Sequence, residues 1–267
     1  MTDFIKNEKN GVVFLTAPTI TVRHGFTTRA GGVSGGNFAS LNLSYGRGDP
    51  AENVTANYRL LGRALSINVF SAAFTKQVHG AEVRICTDAD RAAPGDPTPY
   101  EADGLVTNVP GLPLLAFTAD CVPVLLHDPA AKVAAAVHCG WRSSVMDILG
   151  TAVEKMASLG SVPADIRAAI GPAIGSCCFE TGADVPEAID AWLGRDAEKC
   201  YWPEAGAAGR FMVDLRAANR LRLICLGVMP ENIAVSSECT RCAPDKYWSH
   251  RWAKGGERGS QCTVICL

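Results

Sequence analysis

Apolar side chains recur at helical spacing in four segments of the chain. The clearest pattern covers residues 144–159, where apolar residues follow one another every three or four positions and Gly160 stands where the helix should stop. The same spacing is found at residues 52–65, 185–193 and 215–226. Asp49-Pro50 precedes the first of these three segments and Asp214 the last, as is typical of helix starts. The sequence therefore predicts four helices.

Short runs of apolar, mostly branched side chains lie between these segments and predict β-strands. The runs fall at residues 12–15, 114–117, 122–126, 133–137, 166–170 and 233–235. Their apolar character is continuous rather than alternating, which is typical of strands covered on both faces. We therefore expect helices to flank packed sheets in a layered α+β arrangement, with the glycine- and proline-rich residues 92–100 as a surface loop.

Composition favours one domain over residues 1–267. An apolar fraction of 48% in 267 residues supplies a large core. The 25 basic and 27 acidic side chains leave a net charge of −2 without a block of like charge, which argues against a nucleic acid or membrane partner. Residues 1–11 lack the apolar core of a secretory signal. We expect a cytoplasmic protein, monomeric or weakly homo-oligomeric.

The 11 cysteines are interpreted as reduced thiols, since their number is odd and the chain is large enough to form a core without disulfides. Most should be small buried apolar residues, including vicinal Cys177 and Cys178, which we do not expect to be redox active. One alternative is a structural zinc site built from Cys239, Cys242, Cys262 and Cys266. Only the first pair has zinc-ribbon spacing, and residues 262–266 resemble a strand, so buried thiols fit better.

Histidines are scarce, which narrows the search for a site. Only five are present. His79, Cys121 and His138 lie in short polar motifs, two of them at predicted strand ends, from where side chains can converge on a cleft. Two imidazoles and one thiolate suit zinc and leave a fourth position for water or substrate. Their long separations match no compact zinc signature, so buried structural residues remain the alternative.

Ten short motifs follow one another along nearly the whole chain. They are His24-Gly25-Phe26-Thr27-Thr28-Arg29, Gly31-Gly32-Val33-Ser34, Ser40-Leu41-Asn42-Leu43, Lys76-Gln77-Val78-His79-Gly80, Ala102-Asp103-Gly104, Thr118-Ala119-Asp120-Cys121, His138-Cys139-Gly140-Trp141-Arg142, Ile170-Gly171-Pro172-Ala173-Ile174, Glu238-Cys239-Thr240 and Ser249-His250-Arg251. In this order they resemble the YfiH family. That family was once named for a multicopper polyphenol oxidase or laccase domain and is now associated with purine nucleoside phosphorylase activity.

The resemblance implies a metal bound by His79, Cys121 and His138, zinc in the first place and copper in the second. It also implies a layered α-β-β-α sandwich with mixed sheets, a fold that has been likened to that of cysteine hydrolases. Two departures stand out. Cys139 occupies a position where a small residue such as alanine is usual, and in residues 252–267 the second arginine that usually follows the Ser-His-Arg stretch, and that forms part of the C-terminal pocket wall, is not found at its usual place.

The favoured function is phosphorolysis of a purine nucleoside such as adenosine, inosine or methylthioadenosine, in which phosphate attacks C1′ of the ribose as the base departs. Arg29, beside glycine-rich residues 31–36, and Arg142, beside a metal ligand, are candidates to hold phosphate through guanidinium and backbone N–H groups. An ordinary turn and structural ion pairs are the alternative for each. Asn42 and His250, which lie in family motifs, complete the candidate substrate-binding residues.

Three other reactions stay open. Adenosine deamination would use a metal that lowers the pKa of water to about 7, with Asp120 or Asp103 as general acid or as the residue that orients a ligand. A hydrolase or amidase that edits a nucleotide-linked muramyl precursor of peptidoglycan would use Cys121 as nucleophile and His138 as base. Copper-loaded polyphenol oxidation is expected as a side activity only, because five histidines cannot supply both a type 1 copper and a trinuclear cluster.

Overall fold

A computed structural model of the chain describes residues 4–98 and 100–267. The helices are α1 (Ala51–Leu65), α2 (Trp141–Val145), α3 (Ile148–Ser158), α4 (Asp184–Leu193) and α5 (Leu215–Cys225). The strands are β1 (Ile5–Lys9), β2 (Val12–Thr16), β3 (Arg23–Thr27), β4 (Val83–Ile85), β5 (Gly104–Thr107), β6 (Leu114–Thr118), β7 (Val122–Asp128), β8 (Val133–Cys139), β9 (Arg167–Ile170), β10 (Glu180–Thr181), β11 (Tyr201–Pro203), β12 (Phe211–Val213), β13 (Ile233–Val235) and β14 (Gln261–Cys266).

The strands form two large sheets and a small one. Sheet I has the order β1-β2-β3-β14-β6 and is antiparallel. Sheet II has the order β13-β9-β7-β8-β5-β4, with an antiparallel centre and a parallel pair at each edge. Strands β10, β12 and β11 form the small sheet. The protein therefore combines helices with sheets, and sheet II has both parallel and antiparallel strand pairs, as predicted.

Three apolar clusters show how these elements are stacked. Tyr58 of α1 packs against Val264 on the outer face of sheet I. Leu125 and Ile265 lie in the cluster between the two sheets, and Met156 of α3 lies in the cluster that covers the outer face of sheet II. This order of helix, sheet, sheet and helix confirms the predicted α-β-β-α sandwich. Strands β7 and β8 are buried at every position, which accounts for their uninterrupted apolar sequences.

The helix predicted over residues 144–159 is wrong in one respect, because it is two helices. Asp147 separates α2 from α3 with a left-handed φ of 67°. Its carboxylate accepts hydrogen bonds from Arg222 Nε (2.7 Å) and Trp192 Nε1 (3.2 Å) and lies 2.2 Å from the place where Gly150 would carry a Cβ. The break thus ties α3 to α5 and α4, an interaction that the apolar periodicity does not reveal.

The two predicted helix caps have different outcomes. The Asp214 side chain accepts a hydrogen bond from Ala217 N at 2.9 Å, so this N-cap is confirmed. Asp49 does not cap α1. Its carboxylate instead accepts hydrogen bonds from Ser34 Oγ (2.6 Å) and Asn42 Nδ2 (2.8 Å), both of them buried.

Among residues 4–98 and 100–267, no helix is long and apolar enough to cross a bilayer. The single domain, the cytoplasmic location and the monomeric or weakly associated state stay predictions. The loop predicted at residues 92–100 forms no strand where it is described, and Pro99 lies outside the described residues.

Candidate metal centre

Sheet II brings Cys121 and His138 to the same edge. Strand β7 begins at Val122, directly after Cys121, and β8 ends at Cys139, directly after His138. The register pairs Val122 with Cys139 in antiparallel fashion, so the start of one strand meets the end of the other. Two residues separated by a long stretch of sequence therefore become neighbours through strand pairing alone.

Asp103 adds His79 to this pair. Its carboxylate accepts three consecutive backbone N–H groups, from Val78 (3.0 Å), His79 (3.0 Å) and Gly80 (2.8 Å). These bonds hold the turn in which His79 adopts a left-handed φ of 59°. Such a backbone costs about 1–3 kcal/mol for a residue other than glycine, so the turn depends on Asp103.

Gln77 fixes the same turn from the other side. Its side-chain amide pairs with the backbone of Phe117, donating to the carbonyl oxygen at 2.8 Å and accepting from the N–H at 2.7 Å. The Lys-Gln-Val-His-Gly motif is thereby attached to the end of β6. Its glutamine and its histidine have separate tasks, one anchoring the loop and the other facing the cavity.

His79, Cys121 and His138 converge. One ligand atom from each lies within 4.8 Å of the others, and the two imidazole rings meet edge to face with centroids 4.8 Å apart. His138 Nδ1 is 2.7 Å from Asp103 Oδ1, which leaves its Nε2 for a ligand. The structure thus assembles the three residues that the sequence had singled out.

This arrangement fits a metal ion. The donor set of two imidazoles and one thiolate suits zinc, and three protein ligands leave one tetrahedral position open. Gly140 makes room for the cluster, because a Cβ at that position would lie 2.5 Å from His79 Nδ1 and 3.6 Å from Cys121 Sγ. Asp103 orients His138 in the way carboxylates commonly orient metal-bound histidines.

The electrostatics of the cluster determine which proton a metal would have to displace. Burial by itself would lower the pKa of His138, but the charge of the Cys121 thiolate and the hydrogen bonds to Asp103 and Cys121 raise it to about 9. Burial and the neighbouring His138 lower the pKa of His79. Burial acts to raise the pKa of Asp103, yet its bonds to His138, Gly80 and Val78 outweigh that effect and lower it. A metal would therefore have to displace a proton from His138.

Asp120, a predicted catalytic residue, is held in place by several contacts. Its φ of 91° is left-handed, its Oδ1 accepts from Thr240 Oγ1 at 2.6 Å, and its Oδ2 accepts from Arg251 N at 2.7 Å. Its backbone carbonyl accepts from Ile174 N at 2.9 Å. These contacts fix the peptide that leads into Cys121. A general-acid role for Asp120 stays a prediction.

The three candidate ligands open into a cavity of about 710 Å³. This volume lies within the range of small-molecule sites, which is roughly 300–1,000 Å³. Aromatic side chains form much of the wall, namely Tyr45, Phe74, Phe117, Trp141 and Phe179. Part of the predicted surface loop, including Pro94 and Asp96, closes one side of the cavity.

The wall also carries positive charge. Arg47, Arg142, Arg258 and His250 line it, and none of these arginines takes part in an ion pair within the described chain. Burial and the nearby Arg47 lower the pKa of Arg258. In the described part of the chain its buried Nε finds no hydrogen-bond partner. An anionic group would satisfy both the donor and the charge.

Of the four predicted substrate-binding residues, Arg142 and His250 line the cavity, whereas Arg29 and Asn42 do not. The Arg29 guanidinium donates to the carbonyl oxygens of Ala39 (2.8 Å from Nε) and Pro244 (2.7 Å from Nη1) and stacks on Trp248. Asn42 is fully buried beneath the surface. We therefore assign both to the framework of the fold.

The glycine-rich loop at residues 31–36 does not line the cavity either. A Cβ on Gly31 would lie 1.9 Å from Gly11 O, and a Cβ on Gly32 would lie 2.1 Å from Ser40 O. Glycine is needed there because two backbones pass close together, which leaves phosphate binding without support.

Sequence reasoning missed Arg47 and Arg258. The usual second arginine of the C-terminal wall seemed to be missing, yet Arg258 places a guanidinium there, with its Nη2 3.4 Å from His250 Nδ1. Nothing in the local sequence distinguishes Arg258 from other arginines. Only the burial of its Nε, in the segment just before β14, identifies it.

The layered sandwich, with its cluster of two histidines and one cysteine at a strand edge, places this protein in the class of YfiH-type domains. The family model for multi-copper polyphenol oxidoreductase laccase matches residues 23–267, and the chain is a member of that family. The crystal structure of the Bacillus licheniformis protein YfiH superimposes with a TM-score of 0.90 at 32% identity, covering 99% of this chain and 98% of that one.

The named relatives of this chain carry two different enzyme activities in their names. Purine nucleoside phosphorylase YlmD of Geobacillus stearothermophilus is 35% identical over 266 residues, which cover 96% of this chain and 94% of the relative. Adenosine deaminase RL5, from an unknown prokaryotic organism, is 35% identical over 231 residues, covering 85% and 87%. Relatives with these names support an enzyme that acts on a small molecule.

Proposed function

We propose that this protein is a zinc-dependent purine nucleoside phosphorylase, with the metal held by His79, Cys121 and His138. The observation that carries the proposal is the cavity itself, which combines these three candidate ligands with Arg258, whose buried Nε has no hydrogen-bond partner among the described residues. The relative from Geobacillus stearothermophilus, named a purine nucleoside phosphorylase, supports the same reaction.

The cavity offers separate surroundings for the two substrates. Arg47, Arg258 and His250 suit phosphate, which arginine forks bind in bidentate fashion. The aromatic wall, which includes Phe74 and Phe117, suits a purine ring through stacking. In phosphorolysis a phosphate oxygen forms a bond to C1′ while the bond from C1′ to N9 breaks. Its electron pair leaves with the base, which takes up a proton.

The residues around the metal have distinct tasks. Bound zinc supplies Lewis acidity to polarise a substrate oxygen or nitrogen. Asp103 keeps Nε2 of His138 directed toward the ligand position by holding Nδ1 at 2.7 Å. Arg258 offers its buried Nε to negative charge, and an ionic contact at a buried group is stronger than in bulk water.

A test of this proposal uses zinc-quantified protein incubated with inosine or adenosine, with and without phosphate. Hypoxanthine or adenine together with ribose 1-phosphate, formed only with phosphate, is the expected result. His79→Ala and Cys121→Ser should abolish it, whereas Cys225→Ser, which changes an exposed thiol outside the cavity, should not. Turnover that needs no phosphate, or that survives His79→Ala, contradicts the proposal.

Adenosine deamination is the second candidate, and the relative named adenosine deaminase favours it. Water adds at C6 and ammonia leaves, which needs an open metal position but no phosphate. Inosine and ammonia formed from adenosine in phosphate-free buffer would show this activity. Copper-loaded protein should oxidise phenols only slowly, since one N₂S group lacks the trinuclear cluster of a multicopper oxidase.

A third reading makes Cys121 a nucleophile that attacks an amide of a nucleotide-linked muramyl precursor. Thiol alkylation distinguishes the two roles, because a metal-bound thiolate reacts slowly. Peptide mapping by mass spectrometry must report Cys121 separately, since Cys177, Cys225 and Cys242 are exposed thiols that alkylate as well. Labelling of Cys121 that accelerates only after chelation supports the metal ligand. Fast labelling of the zinc-loaded protein would favour the hydrolase.

A further inference from the structure

We propose a second metal site in this protein, a structural zinc bound by the thiolates of Cys177, Cys178, Cys239 and Cys242. The four sulfur atoms come from two segments far apart in the sequence and lie within 4.8 Å of one another. They share no residue with the cluster of His79, Cys121 and His138. The site is therefore additional to the one that carries the proposed activity.

The sulfur positions match the size of a tetrahedral zinc site. Zinc–sulfur bonds of roughly 2.3 Å place the sulfurs of a regular tetrahedron about 3.8 Å apart. Here Cys177 and Cys178 Sγ are 3.7 Å apart, while Cys242 Sγ lies 3.5 Å from Cys177 Sγ and 3.3 Å from Cys178 Sγ. The fourth sulfur, that of Cys239, lies within 4.8 Å of these three, so the four surround a space of the size that a tetrahedral ion needs.

Hydrogen-bond donors surround the sulfurs as they do in thiolate sites. The Gly175 N–H points at Cys239 Sγ from 3.1 Å, and Arg241 Nη1 lies 3.3 Å from Cys178 Sγ. Four thiolates around a divalent ion carry a net negative charge, which the Arg241 guanidinium partly balances. Gly175 is needed for the close approach, since a Cβ there would lie 3.1 Å from Cys239 Cβ and 3.2 Å from Cys177 Sγ.

Two simpler explanations fit less well. Cysteines that serve only as packing residues should be buried, but Cys177 and Cys242 are exposed. A disulfide requires sulfurs about 2.05 Å apart and joins only two of the four. The alternative zinc site considered from the sequence paired Cys239 and Cys242 with Cys262 and Cys266, and the structure does not bring this second pair to the cluster. Those two thiols are buried in β14.

The site would stabilise one wall of the cavity. The segment with Cys239 continues into Thr240, whose hydroxyl donates to Asp120 Oδ1 at 2.6 Å. The carbonyl of Cys178 accepts from Arg251 Nη1 at 3.3 Å, and Phe179 follows in the cavity wall. Zinc that joins these two segments therefore holds the groups that position Asp120 and, through it, Cys121.

Metal counting tests the proposal. The full chain, without an affinity tag, is stripped with a chelator under reducing conditions, reloaded with zinc, desalted and measured by elemental mass spectrometry. We expect two zinc ions per chain. Cys177→Ser/Cys242→Ser and His79→Ala/Cys121→Ser should each retain one, and Cys225→Ser should retain two as the matched control. Cobalt substitution should give tetrathiolate absorption that disappears only in the first variant.

The outcomes separate this proposal from the catalytic one. A single zinc in the unaltered chain that persists in Cys177→Ser/Cys242→Ser overturns the second site and leaves the phosphorylase proposal intact. A disulfide among these four cysteines, found by non-reducing peptide mapping of protein purified without oxygen, also overturns it. If the double variant fails to fold, Cys177→Ser alone still reports through the loss of cobalt tetrathiolate absorption.

Discussion

Replacing Asp103 by asparagine tests how the metal centre is organised. Oδ2 accepts from Val78 and Gly80, whereas Oδ1 accepts from His79 and His138. An asparagine has only one acceptor oxygen, so whichever way the amide is turned, two of the four hydrogen bonds are lost. Bonds to a charged group contribute roughly 1.5–3 kcal/mol each, which puts the loss in free energy of unfolding at up to about 3–6 kcal/mol.

The effect on zinc should be separate and measurable. Removing the partner of a metal-bound histidine costs about 10–100-fold in affinity, which corresponds to about 1.4–2.7 kcal/mol. Competition with a chelator gives the dissociation constant of Asp103→Asn, and urea unfolding with and without zinc gives the stability. Asp165→Asn, an exposed carboxylate outside the cavity, serves as the control. A folded Asp103→Asn protein with unchanged zinc affinity would refute this account of Asp103.

Three further changes have defined outcomes. Gly140→Ala should weaken zinc binding at least as much as Asp103→Asn, because its Cβ would lie 2.5 Å from His79 Nδ1. Gly80→Ala, whose Cβ would lie 3.6 Å from its nearest neighbour, should leave zinc binding unchanged. Chelator competition compares the zinc affinities of the two variants. Arg258→Ala should raise the KM for phosphate about tenfold or more, while KM for inosine changes little, in steady-state assays of the proposed phosphorolysis. Burial lowers the pKa of His24 below its ordinary value of 6.5. At pH values below 6.5 the unfolded chain therefore binds more protons than the folded one, and the free energy of unfolding falls as the pH drops. Thermal unfolding at a series of pH values should show a smaller decrease in melting temperature for His24→Gln.

The sequence predicts a helix or strand well where its apolar side chains are continuous or recur with one clear period. Strands β7 and β8 were predicted nearly to their ends because both are buried on both faces. Strand β1, with alternating charged residues and mostly exposed side chains, was missed. The short strands β10 to β12 were also missed, because, unlike the equally short and largely buried β13, they do not form a run of buried branched side chains.

The residues of the candidate site likewise fall into those that the sequence predicts and those that only the structure identifies. His79, Cys121 and His138 could be singled out because histidines are few and because the three motifs that contain these residues resemble those of the YfiH family. The roles of Asp103 and Gln77 depend on hydrogen bonds to backbone groups at sequence separations of 25 and 40 residues. Such contacts leave no local pattern. Arg29 shows the converse, since an arginine beside glycines suits phosphate, whereas in the structure its guanidinium donates to the carbonyl oxygens of Ala39 and Pro244.

The site geometry also depends on how the two sheets pack. Phe26 of β3 in sheet I fits against Gly171 so closely that a Cβ on Gly171 would lie 2.2 Å from Phe26 Cδ1 and 3.0 Å from Pro123 Cγ. Pro123 pairs with His138 in the sheet II register, two positions after Cys121. Because packed interiors transmit small displacements rather than absorbing them, a change in the spacing between the sheets should displace the strand edge that carries two of the three candidate ligands. The glycine of the Ile-Gly-Pro motif is therefore expected to affect the candidate metal centre through packing.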